Sequence, residues 1–395
     1  MLPEFLSIAG GFVCLILGGE VLVRGAVGLA KRLGMSELII GLTVVAFATS
    51  APELAVSINA AYSGYADVAF GNVVGSNIFN VLFVLGLSAL VAPLIVSPQL
   101  LRRDVPIMVA ASTLTYFLAR DRVISHLDGV IFLALIVGYV ILSVSQARRE
   151  GRDLRPSGTL GGAAALPVSQ PQAVTKIEED SATSATAPVA SRTRGALLAS
   201  PIGYAVLVVL GVAILMLGAK LFVDGAVELA LAWGVSELVI AVTLVAAGTS
   251  LPEAATSIMA GLRGRRDIAI GNVVGSNIFN LLAILGLGAL VAKKGIDVAP
   301  EALRTDLPVM IGVAVACLPI FFSRGTVSRA EGALLLIYYL IYTANLALAV
   351  THSPWFVPFR NTVFFGVFPL TAVFLVIGYL RSRGRQPSWQ GGETA

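Results

Sequence analysis

The ten residues Gly71-Asn72-Val73-Val74-Gly75-Ser76-Asn77-Ile78-Phe79-Asn80 recur unchanged as Gly271–Asn280. Outward from this run, Gly34–Ala92 aligns without gaps on Gly234–Ala292, with 37 of 59 positions identical. The likeness fades beyond that, but Arg103-Asp104-Val105-Pro106 is still echoed by Thr305-Asp306-Leu307-Pro308. Upstream, Leu17-Gly18 and Gly25-Ala26 are echoed by Leu217-Gly218 and Gly225-Ala226. Self-similarity over this length means one structural unit used twice.

Composition says what kind of unit it is. Of the 395 residues 57% are apolar and 13% charged, with a mean hydropathy of +0.89. Soluble chains are about 45–50% apolar and about 25% charged. A chain this apolar cannot cover its surface with polar groups, so it reads as a polytopic membrane protein with the lipid bilayer as its partner. A soluble enzyme is excluded. The net charge of +4 comes from Lys and Arg between apolar segments, so no nucleic-acid partner is expected. Cys14 and Cys317 lie inside apolar stretches, and His126 and His352 stand in unrelated contexts. Neither pair suggests a disulfide, a metal centre or a tightly bound cofactor. The start Met1–Glu4 lacks a basic leader and a cleavage site, so the first apolar segment is expected to span.

At about 20 apolar residues per crossing, the spans fall near 4–30, 37–62, 67–92, 104–120 and 124–146, then 199–230, 237–262, 267–292, 304–323, 327–350 and 358–380. The expected fold is all-α: two five-helix repeats of inverted topology, a ten-helix core, plus one extra C-terminal transmembrane helix. The first repeat covers 1–147 and the second 199–350. Between them, 148–198 is a cytoplasmic low-complexity linker rich in Ala, Ser, Thr, Pro and Gly, and 351–395 holds the extra helix and a basic tail. Five is odd, so the second repeat enters from the opposite side. With the N-terminus outside, 19 Lys and Arg fall on the cytoplasmic side and six outside, so the C-terminus is cytoplasmic. Inverted repeats mark secondary transporters, with the substrate held near the midplane between the copies.

Each repeat breaks its second helix at the same place, Ala48-Thr49-Ser50-Ala51-Pro52-Glu53 and Gly248-Thr249-Ser250-Leu251-Pro252-Glu253. Proline has no N–H, so the carbonyls of Ala48 and Gly248 lose their helical donor, and in lipid they need another partner. A carboxylate at the bilayer centre costs at least about 2.5–3.5 kcal/mol, and this chain carries one twice, at matching positions. Thr49 and Ser50 share a helix face with Glu53, as do Thr249 and Ser250 with Glu253. The third helices add Ser76 with Asn80 and Ser276 with Asn280, four apart on one face, extended by Asn72 and Asn272. Asn77 and Asn277 lie off that face and suit interhelical hydrogen bonds. Gly71, Gly75, Gly271 and Gly275 suit close helix packing. Ser36-Glu37 and Ser236-Glu237 read as helix caps. The converging donors are all oxygens, which selects hard cations, with Ca2+ and Na+ ahead of Mg2+.

The motif Gly/Ala-Thr-Ser-x-Pro-Glu followed by Gly-Asn-x-x-Gly-Ser-Asn-Ile-x-Asn, twice and inverted, closely resembles the α-repeats of the sodium/calcium exchangers in the cation/calcium antiporter superfamily. The resemblance is strong in 34–92 and 234–292 and spans ten helices. It implies that Glu53 and Glu253 coordinate Ca2+, helped by the main-chain oxygens of Thr49 and Thr249. It implies that Ser50, Ser76, Ser250, Ser276 and the Ala46 and Ala246 carbonyls complete Na+ sites, with Asn80 and Asn280 facing the centre. It implies alternating access by sliding of the first and sixth helices, and exchange of three Na+ for one Ca2+.

Three features depart from the family pattern. Ala48 replaces a motif glycine that Gly248 keeps. Asn280 stands where potassium-dependent relatives often carry Asp, which argues against K+ co-transport and lowers proton coupling. The helix at 358–380 lies beyond the ten-helix core. The expectation is a K+-independent, electrogenic Na+/Ca2+ antiporter with two transported ions. The alternatives are Ca2+/H+ antiport on the same fold, or a cation channel. The Arg-rich, Ala-rich composition points to a prokaryotic cell membrane. Glu20 with Arg24, and Lys220 with Asp224, form i,i+4 pairs of swapped sign in the first and sixth helices. They are read either as snorkelling pairs or as ties that steady the sliding helices.

Overall fold

The computed structural model describes residues 2–153, 200–235, 237–240 and 246–367. The expected linker beyond 153, the last part of the expected eleventh span and the tail lie outside the described residues. Within them, seven helices are long and apolar enough to cross a membrane, or eight if a bent pair counts as one span.

α1 (Leu2–Leu33) and α7 (Pro201–Ala232) are the first helices of the two repeats and pack against each other antiparallel. Glycines seven apart, at 11, 18 and 25 and at 211, 218 and 225, line the contact. A Cβ on Gly11 would lie 2.5 Å from Phe222 N, one on Gly18 2.8 Å from Leu215 N, and one on Gly218 2.8 Å from Leu15 N. Lipid gives no hydrophobic drive between helices, so close backbone approach is what holds such a pair.

The broken span is α2 (Glu37–Thr49) and α3 (Ala51–Tyr62), bent by 46° at Ser50. Pro52 sits in the first turn of α3, where its missing N–H leaves no helical bond unmade. The matching pieces are α8 (Glu237–Ile240), α9 (Ala246–Gly248) and α10 (Leu251–Leu262). α4 (Ala66–Val91) and α11 (Arg266–Val291) form the centre of the molecule, and each contains a π-helical turn that begins at Asn80 or Asn280. Such widened turns recur at functional sites.

Outside them lie α5 (Val105–Leu118), α6 (His126–Asp153), α12 (Leu307–Arg324), α13 (Arg329–Val350) and the short α14 (Phe356–Thr362). A π-helical turn, Leu100–Asp104, leads into α5, so the helical backbone begins ahead of the expected span 104–120. Asp104 and Asp306 occupy matching π turns and accept from Tyr139 (3.4 Å) and Tyr342 (3.1 Å), tying each α5-type helix to the next.

The sequence reading held only helices; the structure adds two small antiparallel ladders. β1 (Leu94–Ile95) pairs with β4 (Thr326–Val327), and β2 (Val123–Ile124) pairs with β3 (Ile296–Asp297). Each joins a loop of one repeat to a loop of the other, and in both cases the parity count puts the two loops on the same side.

Ser36 takes an extended N-cap conformation, but its hydroxyl makes no cap bond. Glu37 is held instead by Arg265 across the repeat boundary, at 2.7 Å. Of the four glycines expected to serve close packing, Gly271 and Gly275 do, a Cβ there lying 3.0 Å from Leu38 O and 2.6 Å from Leu42 O, whereas a Cβ at Gly71 or Gly75 would meet nothing within 4 Å.

Candidate ion-binding site

The two helix breaks meet at the centre and are stitched crosswise. Ser50 Oγ donates to Glu253 Oε1 (3.0 Å), and Ser250 Oγ donates to Glu53 Oε1 (2.7 Å). Both carboxylates are completely buried. Each serine spends its proton on the opposite repeat's carboxylate, which leaves its oxygen lone pairs for another partner.

The threonines also bond across the repeat boundary. Thr49 Oγ1 donates to Asn272 Oδ1 (3.1 Å), and Thr249 Oγ1 donates to Asn72 Oδ1 (3.3 Å). Asn72 in turn donates to Ser57 Oγ (2.9 Å) and Glu53 O (3.4 Å), and Asn272 to Ser257 Oγ (3.0 Å) and Glu253 O (3.4 Å). The sequence reading put Asn72 and Asn272 on the ligand face. The structure makes them braces that hold α3 and α10 to the opposite repeat.

Asn77 and Asn277 clasp each other where α4 and α11 cross, each Nδ2 donating to the other's main-chain carbonyl at 3.3 Å. Their Oδ1 atoms accept from Asn280 Nδ2 and Asn80 Nδ2, both at 3.1 Å. With its amide nitrogen held against the clasp, each of Asn80 and Asn280 turns its oxygen the opposite way. The clasp matches the interhelical role expected for Asn77 and Asn277. Their further task, fixing the amide orientation of Asn80 and Asn280, is one that no spacing rule announces. Met108 and Met310 sulfurs back the clasp, 3.5 Å from Asn277 Nδ2 and 3.8 Å from Asn77 Nδ2.

Five buried oxygens of this region have no hydrogen-bond partner: Oε2 of Glu53 and of Glu253, Oγ of Ser76, and Oδ1 of Asn80 and of Asn280. Folded proteins rarely leave such atoms unpaired. Two carboxylates ionised in a dry interior would need a neutralising charge, and oxygen is the donor that hard cations take. Ser276 differs from Ser76 in that its hydroxyl lies 3.5 Å from Ala46 O. That carbonyl is not bare: Ser50 N–H donates to it at 3.0 Å. In the second repeat, Ser250 N–H reaches Ala247 O (3.2 Å), and Ala246 opens α9.

The two halves are covered unequally. α1 lies over α10, where Thr256 is 0% exposed; at the matching position on α3, Val56 is 41% exposed, with Ala55 and Asn59 open beside it. The site itself is buried on both sides, and the cover over it differs: α10 lies under α1, whereas the matching face of α3 carries no such cover.

A family model described as "Sodium/calcium exchanger protein" matches residues 4–145 and 203–348. The chain is 35% identical over 347 residues to the sodium/calcium exchanger MaX1 of Methanosarcina acetivorans, covering 87% of this chain and 98% of that one. It is 35% identical over 345 residues to the putative antiporter CaxA of Alkalimonas amylolytica, again 87% and 98%. A solved structure of the sodium-calcium exchanger NCX_Mj superposes with a TM-score of 0.66 at 28% identity, covering 87% of this chain and 98% of that chain.

Proposed function

This chain belongs to the sodium/calcium exchanger family of membrane antiporters, and from that premise we propose that it exchanges Na+ for Ca2+ at the Glu53/Glu253 site, without K+ and with net movement of charge. The observation that carries the reading is the set of five unpartnered oxygens around two buried carboxylates. Calcium takes six to eight oxygens in a flexible arrangement. The orphaned oxygens, with the serine lone pairs beside them, offer that number. Glu53, Glu253, Ser76, Asn80 and Asn280 are the direct ligands in this reading, and Ser50, Ser250, Ser276 and the main-chain oxygens of Thr49, Thr249, Ala46 and Ala246 supply the rest.

Charge sets the electrical behaviour. The two carboxylates give −2, so one Ca2+ leaves the site neutral and three Na+ leave it at +1. Each cycle then moves one net charge. An amide at Asn80 and at Asn280 keeps the site from the third negative charge that a co-transported K+ would balance. The Lys and Arg bias supports an N-terminus outside the cell membrane and a cytoplasmic C-terminal side. On that orientation the side of α3, which lacks the cover that α1 gives α10, is the external one.

The test is uptake of radiolabelled Ca2+ into Na+-loaded proteoliposomes, with K+ and pH equal on both sides. Uptake that requires the Na+ gradient, ignores K+ and accelerates when the vesicle interior is made positive, because three Na+ leave for each Ca2+ that enters, is the expected result. Uptake in Na+-free vesicles driven by a pH gradient would assign the coupling to protons. Flux with no counter-ion would make the protein a channel.

A further inference from the structure

The two repeats are nearly identical in sequence around the site but not where α1 and α7 meet the rest of the molecule. We propose that three departures from repeat symmetry, Gly19 against Ala219, Glu20 against Lys220 and Arg263 against Ser63, set which face of the site is open at rest. The inference rests on the alternating-access reading above. It makes Gly19, Glu20 and Arg263 positioning residues for the exchange, remote from the ions.

On the sealed side α1 sits directly on α10. A Cβ at Gly19 would lie 3.1 Å from Ala255 O and 3.0 Å from Met259 Cγ, so only glycine allows this seat without displacement. One residue on, Glu20 accepts from Arg24 Nε (2.5 Å) in its own helix and from Arg263 Nε (2.7 Å) just past the end of α10. Arg265 adds a second tie across the same face through Glu37 (2.7 Å).

The opposite access state requires α7 to seat on α3 as α1 now seats on α10. There Ala219 brings a methyl group to the place where Gly19 has none, against the main chain of Ala55. Lys220 comes opposite Ser63, which carries no charge, and keeps only Asp224 (2.6 Å), a partner in its own helix that it holds in either state. Tyr65 stands where Arg265 would be needed. The Glu20–Arg263 pair thus exists in one state and has no counterpart in the other. A contact made in only one of two states is what shifts their populations. Arg263 is about half exposed, so the pair is a modest one, and its loss is expected to change the population ratio about two- to five-fold.

The full chain, with Cys14→Ser and Cys317→Ser, carries either Val56→Cys or Thr256→Cys as a reporter of opening past α3 or past α10. Both are labelled in detergent with a hydrophilic maleimide. The ratio of the Val56→Cys rate to the Thr256→Cys rate is expected to fall about two- to five-fold in Glu20→Gln and in Arg263→Ser. Arg263→Lys should keep the parent ratio, which separates loss of charge from loss of folding. Ser63→Glu, which gives Lys220 a partner, and Ala219→Gly should each lower it. An unchanged ratio in Glu20→Gln and Arg263→Ser overturns the proposal, as does an equal fall of both labelling rates. The reporters need no transported ion, so absence of Na+-driven Ca2+ uptake would refute the proposed function while leaving this ratio readable.

Discussion

Asn77 is not among the proposed ion ligands, yet its replacement by Ala should weaken Ca2+ binding strongly. Its Oδ1 holds Asn280 Nδ2 at 3.1 Å, and its Nδ2 donates to Asn277 O at 3.3 Å. Truncation removes both bonds and leaves a buried amide donor on Asn280 with no acceptor, at a cost of about 1–3 kcal/mol for the orphan. The acceptors on offer are the unpartnered carboxylate oxygens of the site. Turning its N–H toward them gives Asn280 a hydrogen bond to a charged group, worth about 1.5–3 kcal/mol, in the place a cation must take. Binding Ca2+ then requires breaking that bond and turning the amide back, which raises the Ca2+ KM by about 10- to 100-fold. The assay is Na+-driven Ca2+ uptake over a range of Ca2+, beside thermal unfolding in detergent, where the variant should also be less stable. A double-mutant cycle with Asn280→Ala sharpens it: if Asn77 acts through Asn280, adding Asn77→Ala to Asn280→Ala changes KM little. A parent-like KM in Asn77→Ala, or effects that simply multiply in the double variant, would refute the reasoning.

Glu53→Gln and Glu253→Gln each remove one of two negative charges, and a divalent ion loses twice what a monovalent one does. At an effective dielectric of about 20, a unit pair about 4 Å apart is worth about 4 kcal/mol, so Ca2+ uptake should drop at least about a hundredfold in either variant; retained uptake in both would sink the site. Asn280→Asp replaces the donor to Asn77 Oδ1 with a group that can hold that bond only when protonated. Its uptake, divided by that of the parent at each pH, should fall as pH rises from roughly 6 to 9, and a flat ratio would count against the amide's orientation. Gly18→Ala would place a methyl 2.8 Å from Leu215 N, where ordinary contact is about 3.5–4.0 Å. The overpacking should destabilise the α1–α7 pair by about 1–3 kcal/mol, seen as a lower Tm; an unchanged Tm would mean the helices are not that close.

Much of the molecule was legible because an inverted repeat writes its symmetry into the chain. The match of Gly34–Ala92 to Gly234–Ala292 located the unit, and Pro52 and Pro252 located the breaks. The scarcity of charge in apolar surroundings singled out Glu53 and Glu253. Partner choice across the repeat boundary was not legible. Nothing in the spacing of Asn72 says that its oxygen receives Thr249 or that its nitrogen donates to Ser57 on α3, because those partners lie 177 and 15 residues away. The two-residue strands were missed for a related reason: a ladder of two pairs carries no period to detect. Ser36 looked like a cap, but Arg265, far along the chain, took Glu37 into an ion pair instead. The unequal cover of Val56 and Thr256 could not be read from the matched stretches of the repeats, since identical residues cannot say which copy is closed.

That inequality also says where the molecule must move. Glycine contacts between α1 and α7 come in matched sets, Gly18 on Leu215 and Gly218 on Leu15 at the same 2.8 Å, so the pair is symmetric within itself. The centre is symmetric too: the serine–glutamate bonds and the clasp of Asn77 with Asn277 run equally in both directions. The seat of the pair on the centre, by contrast, is one-sided: Gly19 of α1 lies against α10. A motion that exchanges the open and sealed faces therefore need break neither set of matched contacts. On the proposed alternating-access reading it slides the α1–α7 pair as one body across α3 and α10, uncovering Thr256 as it covers Val56. The carboxylates, held by serines that belong to the centre, stay where they are while the cover above them changes side. A mechanism that instead parted Ser50 from Glu253 would have to leave a buried carboxylate without its hydrogen bond at every turn of the cycle, a cost of several kcal/mol that sliding avoids.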